Sequence, residues 1–181
     1  MNIRHLTARD FRASAWSGGT TTELFLYPQD GSYAARNFQL RISSATVELE
    51  ESDFTELPGV ERYITPLEGS FTLTHPGMDP VVLGPLAVPY RFSGEIPTHC
   101  VGKATDFNLM LKGCRGNMQL HWDFAPVLPG FNGFYATEDG IFAVNGQQFS
   151  MKKGDLLVIH AQAPDAVQLN GCPALTCWAD I

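Results

Sequence analysis

The chain has 181 residues, of which 44% are hydrophobic, and a formal net charge of −7 with only 12 lysines and arginines. A chain of this size and apolar content can bury a substantial core. The scarcity of basic residues argues against nucleic acid or an anionic membrane as partner, because no positive patch is available to neutralise their phosphates.

The amino terminus and the cysteines indicate the compartment. No apolar leader opens the chain, and no stretch approaches the roughly eighteen apolar residues of a membrane span. The cysteines, Cys100, Cys114, Cys172 and Cys177, form no C-x-x-C pair and are too sparse for a disulfide scaffold. We therefore expect reduced, packed thiols and a cytoplasmic protein.

Short β-branched and aromatic runs, separated by Gly, Pro, Asn and Asp, recur along the chain and predict strands. Only residues 52–58 are compatible with a helical turn, with Ser52 as its cap and Pro58 at its end. Asn145-Gly146 between two apolar runs predicts a tight hairpin. The predicted strands are Glu23–Tyr27, Phe38–Val47, Arg62–Leu67, Gly69–His75, Val81–Leu83, Ala87–Phe92, Asp106–Leu111, Met118–Phe124, Gly133–Ala136, Gly140–Val144, Gln147–Met151, Leu156–Ile159 and Ala174–Ala179. This spacing predicts an all-β sandwich or barrel.

One sequence pattern occurs twice. An acidic residue and a glycine precede Phe71 and, in the second copy, Phe142; each copy then continues with Gly-x-Leu-x-Val, at residues 84–88 and 154–158. A period of about seventy residues is too long for a solenoid and indicates one supersecondary unit used twice. We predict a first barrel at 33–112 and a second at 113–181, the second being completed by strands from 1–32.

Five ordered motifs carry a family resemblance: Trp16 with Gly18–Glu23, then Arg41–Ala45, Phe54–Arg62, Leu67–Gly69 and Asp106–Met110. With them the chain resembles the HutD/Ves family of two-barrel cupins, and its second repeat resembles a generic cupin half. The resemblance implies an all-β bicupin of two jelly-roll barrels with few helices. It also implies a small-molecule pocket and no established catalytic activity.

The chain departs from the family pattern at two places. Ser17 stands where an Asn is expected, and the family's Phe-x-Gly-Asp reads Phe92-Ser93-Gly94-Glu95. These differences resemble the Ves-like branch, for which a stress-related role is implied, more than the branch associated with histidine utilisation. The histidine-linked branch implies a modulating role, and the Ves-like branch implies no known chemistry.

The arginines within the motif strands are the most informative charges. A guanidinium recognises a carboxylate through two parallel hydrogen bonds. Arg41 and Arg62 therefore have two readings: binding a carboxylate ligand, or forming structural salt bridges with Glu23 and Asp106, respectively.

The remaining candidates also keep two readings each. Asp106 and Asn108 share one strand face, where they could fix ligand amides and hydroxyls or simply pair with each other. Residues 18–22 form an anion-binding nest or a plain turn, and Trp16 stacks on a ligand or fills the barrel. The candidate ligand-binding residues are Trp16, Thr21, Glu23, Arg41, Ser43, Arg62, Asp106 and Asn108; we assign no catalytic residue.

A metal-dependent cupin holds its ion with His-x-His, a Glu and a further His, a set that suits first-row metals. The 5 histidines here show no such spacing, so we expect no metal and no cofactor. The predicted function is the binding of a small polar metabolite, a carboxylate or an amide, in a barrel pocket, with a regulatory or stress-related role. The alternative is a metal-dependent isomerase or dioxygenase that uses His160 with His99 or His121. Exposed strand edges make a homodimer the expected assembly.

Overall fold

The computed structural model describes all residues from 1 to 181. The chain forms nineteen strands and no helix, so it offers no helix that could cross a membrane. The first strands are β1 Asn2–Leu6, β2 Arg12–Trp16, β3 Gly19–Tyr27, β4 Leu40–Val47, β5 Glu51–Asp53, β6 Val60–Gly69, β7 Phe71–Thr74, β8 Val81–Leu83, β9 Tyr90–Ser93, β10 His99–Val101 and β11 Ala104–Lys112. The remaining strands are β12 Gly116–His121, β13 Phe124–Val127, β14 Gly130–Ala136, β15 Gly140–Val144, β16 Gln147–Met151, β17 Leu156–Ala161, β18 Asp165–Gln168 and β19 Ala174–Ala179.

The strands belong to two compact units. The larger unit comprises Arg12–Gly113, and the smaller comprises Met1–Phe11 with Cys114–Ile181. In the larger unit a six-stranded sheet, β2-β3-β4-β11-β6-β9, accompanies a four-stranded sheet, β5-β10-β7-β8. In the smaller unit a five-stranded sheet, β1-β17-β14-β19-β12, accompanies a four-stranded sheet, β13-β18-β15-β16. The predicted all-β fold is confirmed.

The two units share one topology. The order β4-β11-β6-β9 recurs as β12-β19-β14-β17, and β5-β10-β7-β8 recurs as β13-β18-β15-β16. Eight antiparallel strands in two sheets with this order form a double-sheet jelly roll. The two copies of the repeated sequence pattern lie on equivalent strands: Phe71 is in β7, Phe142 is in β15, and these strands hold the same place in their sheets.

The glycine of the repeated motif is required by close packing. In the larger unit Gly69 has a φ of +75°, and a Cβ there would lie 2.5 Å from the backbone oxygen of Lys103. In the smaller unit a Cβ on Gly140 would lie 2.4 Å from Cβ of Cys172. A side chain would collide with the neighbouring strand or loop in both copies, so each copy needs glycine at this place.

The amino-terminal residues are divided differently from the expectation. The sequence predicts that strands from 1–32 complete the second barrel, but only β1 lies in the smaller unit, where it pairs with β17. Strands β2 and β3 belong to the larger unit, because β3 pairs with β4 through a long register from Gly19 to Tyr27. The polar sequence of β2, exposed at all five residues, gives no apolar pattern from which to assign it.

The strand predictions overlap the observed strands throughout, and four of them match end to end: β8, β15, β16 and β19. The hairpin at Asn145-Gly146 is confirmed, with both residues at positive φ. The helical turn at 52–58 is wrong: β5 covers Glu51–Asp53, and no helix follows. Strands β1, β2, β5, β10 and β18 are not predicted, because they are short or lack an apolar run. Strand β13 is not predicted beyond Phe124.

Each unit has its own apolar core. In the smaller unit fully buried Phe134, Phe142 and Leu157 belong to one continuous cluster. In the larger unit Ile64, Phe71 and Leu73 belong to the corresponding cluster. These cores hold the sheets in register and leave the cavity described next in the larger unit.

A polar cavity lined by both sheets of the larger unit

The larger unit contains a cavity of ≈ 380 Å³. One wall is the six-stranded sheet, and the opposite side includes β5 and the residues that follow it. Strand alternation explains the polar wall: Phe107, Leu109 and Leu111 lie on one face of β11, and Asp106, Asn108 and Met110 lie on the other. Both faces are buried. The polar face of β11 therefore lines a pocket instead of meeting bulk water.

Strand register brings the predicted residues together. Met110 of β11 lies opposite Arg41 of β4 on one side and opposite Arg62 of β6 on the other. One step along the sheet, Asn108 lies opposite Ser43. The two arginines stand on the strands that flank β11, β4 on one side and β6 on the other. Neighbouring strands in a sheet are about 4.8 Å apart. Residues far apart in the chain thus share a single patch of sheet.

Arg41 is held in place by several contacts. Its Nε donates to Glu23 Oε2 at 2.9 Å, and its Nη1 donates to Ser43 Oγ at 3.0 Å. Its guanidinium carbon lies 4.2 Å from the ring centre of Tyr33, a cation–π distance. The predicted pairing with Glu23 is therefore present. It coexists with a place in the cavity wall, so the structural and ligand-binding readings of Arg41 do not exclude each other.

Arg62 is buried but only partly satisfied. Its Nη2 donates to Asn108 Oδ1 at 3.1 Å, and its guanidinium stacks on Phe54 and Phe92 at 4.7 and 5.1 Å. Its Nε has no hydrogen-bond partner. Burial lowers the pKa of Arg62 to about 10, and nearby Asp106 opposes that change. The group stays charged at neutral pH with unused donor capacity.

Asp106 completes a hydrogen-bond chain from Arg62. Asn108 Nδ2 donates to Asp106 Oδ1, so the Asn108 amide bridges the arginine and the carboxyl group. The predicted direct salt bridge between Arg62 and Asp106 is wrong, because the amide occupies that position. Burial raises the pKa of Asp106 to about 7, while the charge of Arg62 and a backbone hydrogen bond from Ala45 oppose the rise.

The remaining predicted residues lie around this centre. Ser43, Thr21 and Trp16 line the cavity, whereas Glu23 is not in its wall and acts on it through Arg41. The exposed indole of Trp16 lies against Gly18, where a Cβ would be only 2.0 Å from a ring carbon. Gly18 is thus explained by the tryptophan packed on it and lies in the turn between β2 and β3. Residues 19–22 belong to β3 and pair with β2 and β4, so the plain-turn reading holds for Gly18 alone.

Several lining residues were missed by sequence reasoning. Tyr33 and Phe54 bring aromatic rings to the two arginines, and Met110 lies between those arginines in the register. Tyr33 and Phe54 lie outside any predicted strand, so alternation could not place them. Met110 could have been found, because it shares the face of Asp106 and Asn108.

The histidines are dispersed. No group of three or more His, Cys, Asp or Glu side chains is placed to hold a metal ion. His160 is exposed and stacks on Phe131, with ring centres 4.6 Å apart. His75 begins the turn that follows β7, and its side chain is buried, being only 2% exposed. The alternative ligands His160, His99 and His121 are not brought into one cluster.

Comparisons with known proteins agree with this fold. A search of curated proteins found no match. A conserved protein of unknown function from Pseudomonas aeruginosa PAO1 is similar over 100% of both chains, with 24% identity and a TM-score of 0.87. HutD from Pseudomonas fluorescens SBW25, in a formate condition, shares 23% identity over 98% of this chain and 99% of that one, with a TM-score of 0.80. A bacterial pirin from Escherichia coli in complex with nickel(II) shares 11% identity over 98% of both chains, with a TM-score of 0.65.

The likeness to these solved structures shows the fold alone, which is of the cupin type. The family model described as HutD matches residues 8–177. Because that match covers nearly the whole chain, this protein belongs to the HutD family.

Proposed function

We propose that this protein binds a small metabolite through a carboxylate group in the cavity of the larger unit. The observation that carries the proposal concerns Arg62, a buried residue of the cavity wall whose Nε has no hydrogen-bond partner. A buried donor without an acceptor costs free energy comparable to a lost hydrogen bond. A ligand carboxylate would supply that acceptor together with a compensating charge.

The charge balance of the cavity favours an anion. Arg41 and Arg62 contribute two positive charges, and Glu23 neutralises one of them through its hydrogen bond to Arg41. Asp106 is only partly ionised near neutral pH because burial raises its pKa to about 7. Asp53, the other carboxylate in the cavity wall, is paired with His99. Arg62 makes no ion pair with any of these carboxylates, so its charge is available to a carboxylate ligand. The aromatic side chains of Tyr33 and Phe54 and the thioether of Met110 would contact the apolar part of the ligand.

An amide is the other ligand group that the sequence predicted. Ser43 and Asn108 offer a hydroxyl and an amide for such a group, but both already hydrogen-bond to an arginine. The arginines have the larger unused capacity, since a guanidinium has five N–H donors. We therefore favour the carboxylate. We further propose that binding serves a regulatory or stress-related role, which the family resemblance implies.

The test is a thermal-shift series with formate, acetate, succinate and the carboxylates of histidine breakdown. A ligand at a hundred times its Kd stabilises by about 2.7 kcal/mol, which corresponds to a rise in Tm of about 5–10 °C for a chain of this size. Acetamide serves as the uncharged control for acetate. We expect at least one carboxylate to raise the Tm and acetamide to leave it unchanged.

Variants locate the site. Arg62→Met should abolish the shift, and Arg41→Met should weaken or abolish it. Arg91→Met is the matched control, because Arg91 is exposed, pairs with Glu61 and lies outside the cavity wall. If Arg62→Met unfolds, Arg62→Lys keeps the charge but loses the planar fork, and we expect it to weaken binding about tenfold or more. Shifts that persist in both arginine variants would refute the proposal.

Cytoplasmic location and a homodimer stay predictions. Strand β2 forms one edge of the six-stranded sheet and is exposed at all five residues, so it offers unpaired backbone groups to a second copy. Analytical ultracentrifugation of the whole chain would measure the assembly, and a strictly monomeric species at all concentrations would contradict it.

A further inference from the structure

A second cleft in the larger unit, of ≈ 760 Å³, has different chemistry from the arginine cavity. It is lined by residues of three segments, 53–56, 74–78 and 97–99. Its lining includes two carboxylates, Asp53 and Glu56, and no lysine or arginine. Where the first cavity presents donors and positive charge, this cleft presents acceptors and negative charge.

His75 at the wall of the cleft has a nitrogen without a partner. The side chain is 2% exposed, and its Nε2 makes no hydrogen bond. Thr98 Oγ1 lies 3.2 Å from His75 Nδ1 and donates its own proton to the Ile96 carbonyl at 2.9 Å. The hydroxyl has only one proton, so it accepts from Nδ1–H. In the tautomer with the proton on Nδ1, Nε2 is an acceptor without a partner.

The His75 ring is fixed in this orientation. It stacks on Tyr90 with ring centres 5.7 Å apart and contacts Phe92 at 5.3 Å. The hydrogen bond between Thr98 and Nδ1 holds the opposite edge of the ring, and with it the position of Nε2. An acceptor that is buried, rigid and unpaired calls for a donor, because an unmet buried polar atom is destabilising.

The carboxylates identify the donor as a cation. His99 lies between Asp53, at 2.8 Å, and Glu51, at 3.6 Å, so part of the charge of Asp53 is already matched. Glu56 forms no ion pair and no hydrogen bond. An ammonium group carries three N–H donors and one positive charge. It can thus satisfy the histidine nitrogen and a carboxylate at the same time.

We propose that this cleft binds a small primary amine as its ammonium ion, with one N–H donated to His75 Nε2 and the charge balanced by Glu56 and Asp53. Met78 and the prolines of the lining supply apolar surface for a short alkyl chain, and a methionine side chain adapts readily to such a group. The cleft shares Asp53 and Phe54 with the carboxylate cavity, but His75 and Glu56 lie outside that cavity and no arginine lines the cleft.

The experiment is an NMR titration of the ¹⁵N-labelled full chain with n-butylammonium chloride. Tetramethylammonium chloride is the matched probe, since it has the same charge and no N–H donor. We expect butylammonium to shift the Nε2 resonance of His75 saturably and tetramethylammonium to leave it unchanged. If the two ions act alike, or if neither shifts Nε2, the proposal is overturned.

Variants give a second measurement. Glu56→Gln should weaken butylammonium binding about tenfold, the usual value of a charge-assisted hydrogen bond. The control is Glu95→Gln, an exposed glutamate on the neighbouring loop outside the cleft lining. His75→Phe keeps the aromatic stacking but removes the acceptor and should abolish binding. If that variant fails to fold, the wild-type titration and the Glu56 pair still decide the matter, and equal affinity in both glutamate variants would contradict the site.

Discussion

Replacing Asp106 with asparagine should remove the loss of stability that titration of this carboxyl group causes as the pH rises towards 7. The carboxyl group is 4% exposed and receives hydrogen bonds from Asn108 and from the backbone of Ala45. Burial raises its pKa to about 7 from an unfolded value of 3.8. The folded protein therefore holds this proton more tightly than the unfolded chain does, and raising the pH towards 7 destabilises the fold.

The magnitude follows from the size of the pKa difference. One proton difference between folded and unfolded chains changes the free energy of unfolding by about 1.4 kcal/mol per pH unit. Between the unfolded and the folded pKa this amounts to at most about 4 kcal/mol, and above the folded pKa the effect levels off. Arg62 adds no slope in this range, because its pKa of about 10 keeps it protonated.

The assay is urea unfolding of the wild type and of Asp106→Asn at about pH 5, 6, 7 and 8, with the difference in unfolding free energy taken at each pH. Other carboxyl groups cancel in that difference. We expect the free energy of unfolding of the variant, relative to that of the wild type, to rise by about 1 kcal/mol per pH unit between pH 5 and 6, and by less above pH 7. If the wild type instead gains on the variant as the pH rises, Asp106 is stabilised as a carboxylate and the reasoning is refuted.

Three further predictions concern packing and thiols. Phe134→Ala should lower the unfolding free energy by about 3–5 kcal/mol in chemical denaturation, because the ring is fully buried in the core of the smaller unit. Gly69→Ala should cost more than 1 kcal/mol in the same assay, because of its positive φ and the backbone oxygen 2.5 Å from a Cβ; Gly84→Ala, with open space around it, is the control. Thiol labelling followed by mass spectrometry should modify half-buried Cys114 first and Cys177 only after unfolding, since burial raises the pKa of the Cys177 thiol.

The sequence was most informative where alternation and turns were regular. The hairpin at Asn145-Gly146 follows from the need for positive φ at two successive residues. The strand containing Asp106 and Asn108 was predicted with its two faces assigned. The direction of its polar face was not predictable, because a period of two separates the faces without saying which one meets water.

Long-range pairing set the limits of prediction. Arg41, Arg62 and Asp106 could be named as candidates, but their common patch depends on the order β4-β11-β6, which non-local pairing determines. The amide of Asn108 between Arg62 and Asp106 depends on side-chain geometry within that patch. The cleft around His75 had no sequence signal, since its walls come from three separate segments and its key atom is defined by a missing partner.

The smaller unit provides an internal reference for the charges of the larger one. Both units share the same jelly-roll strand order. The smaller unit buries one charged residue, Asp155, which pairs with His5, and it buries no arginine. The larger unit buries Arg41 and Arg62 in the corresponding type of fold. Burying charge is costly, and well-packed apolar residues commonly stabilise as well or better. Since this topology forms without buried guanidinium groups, folding alone does not account for them, and the proposed binding of an anion gives them a role.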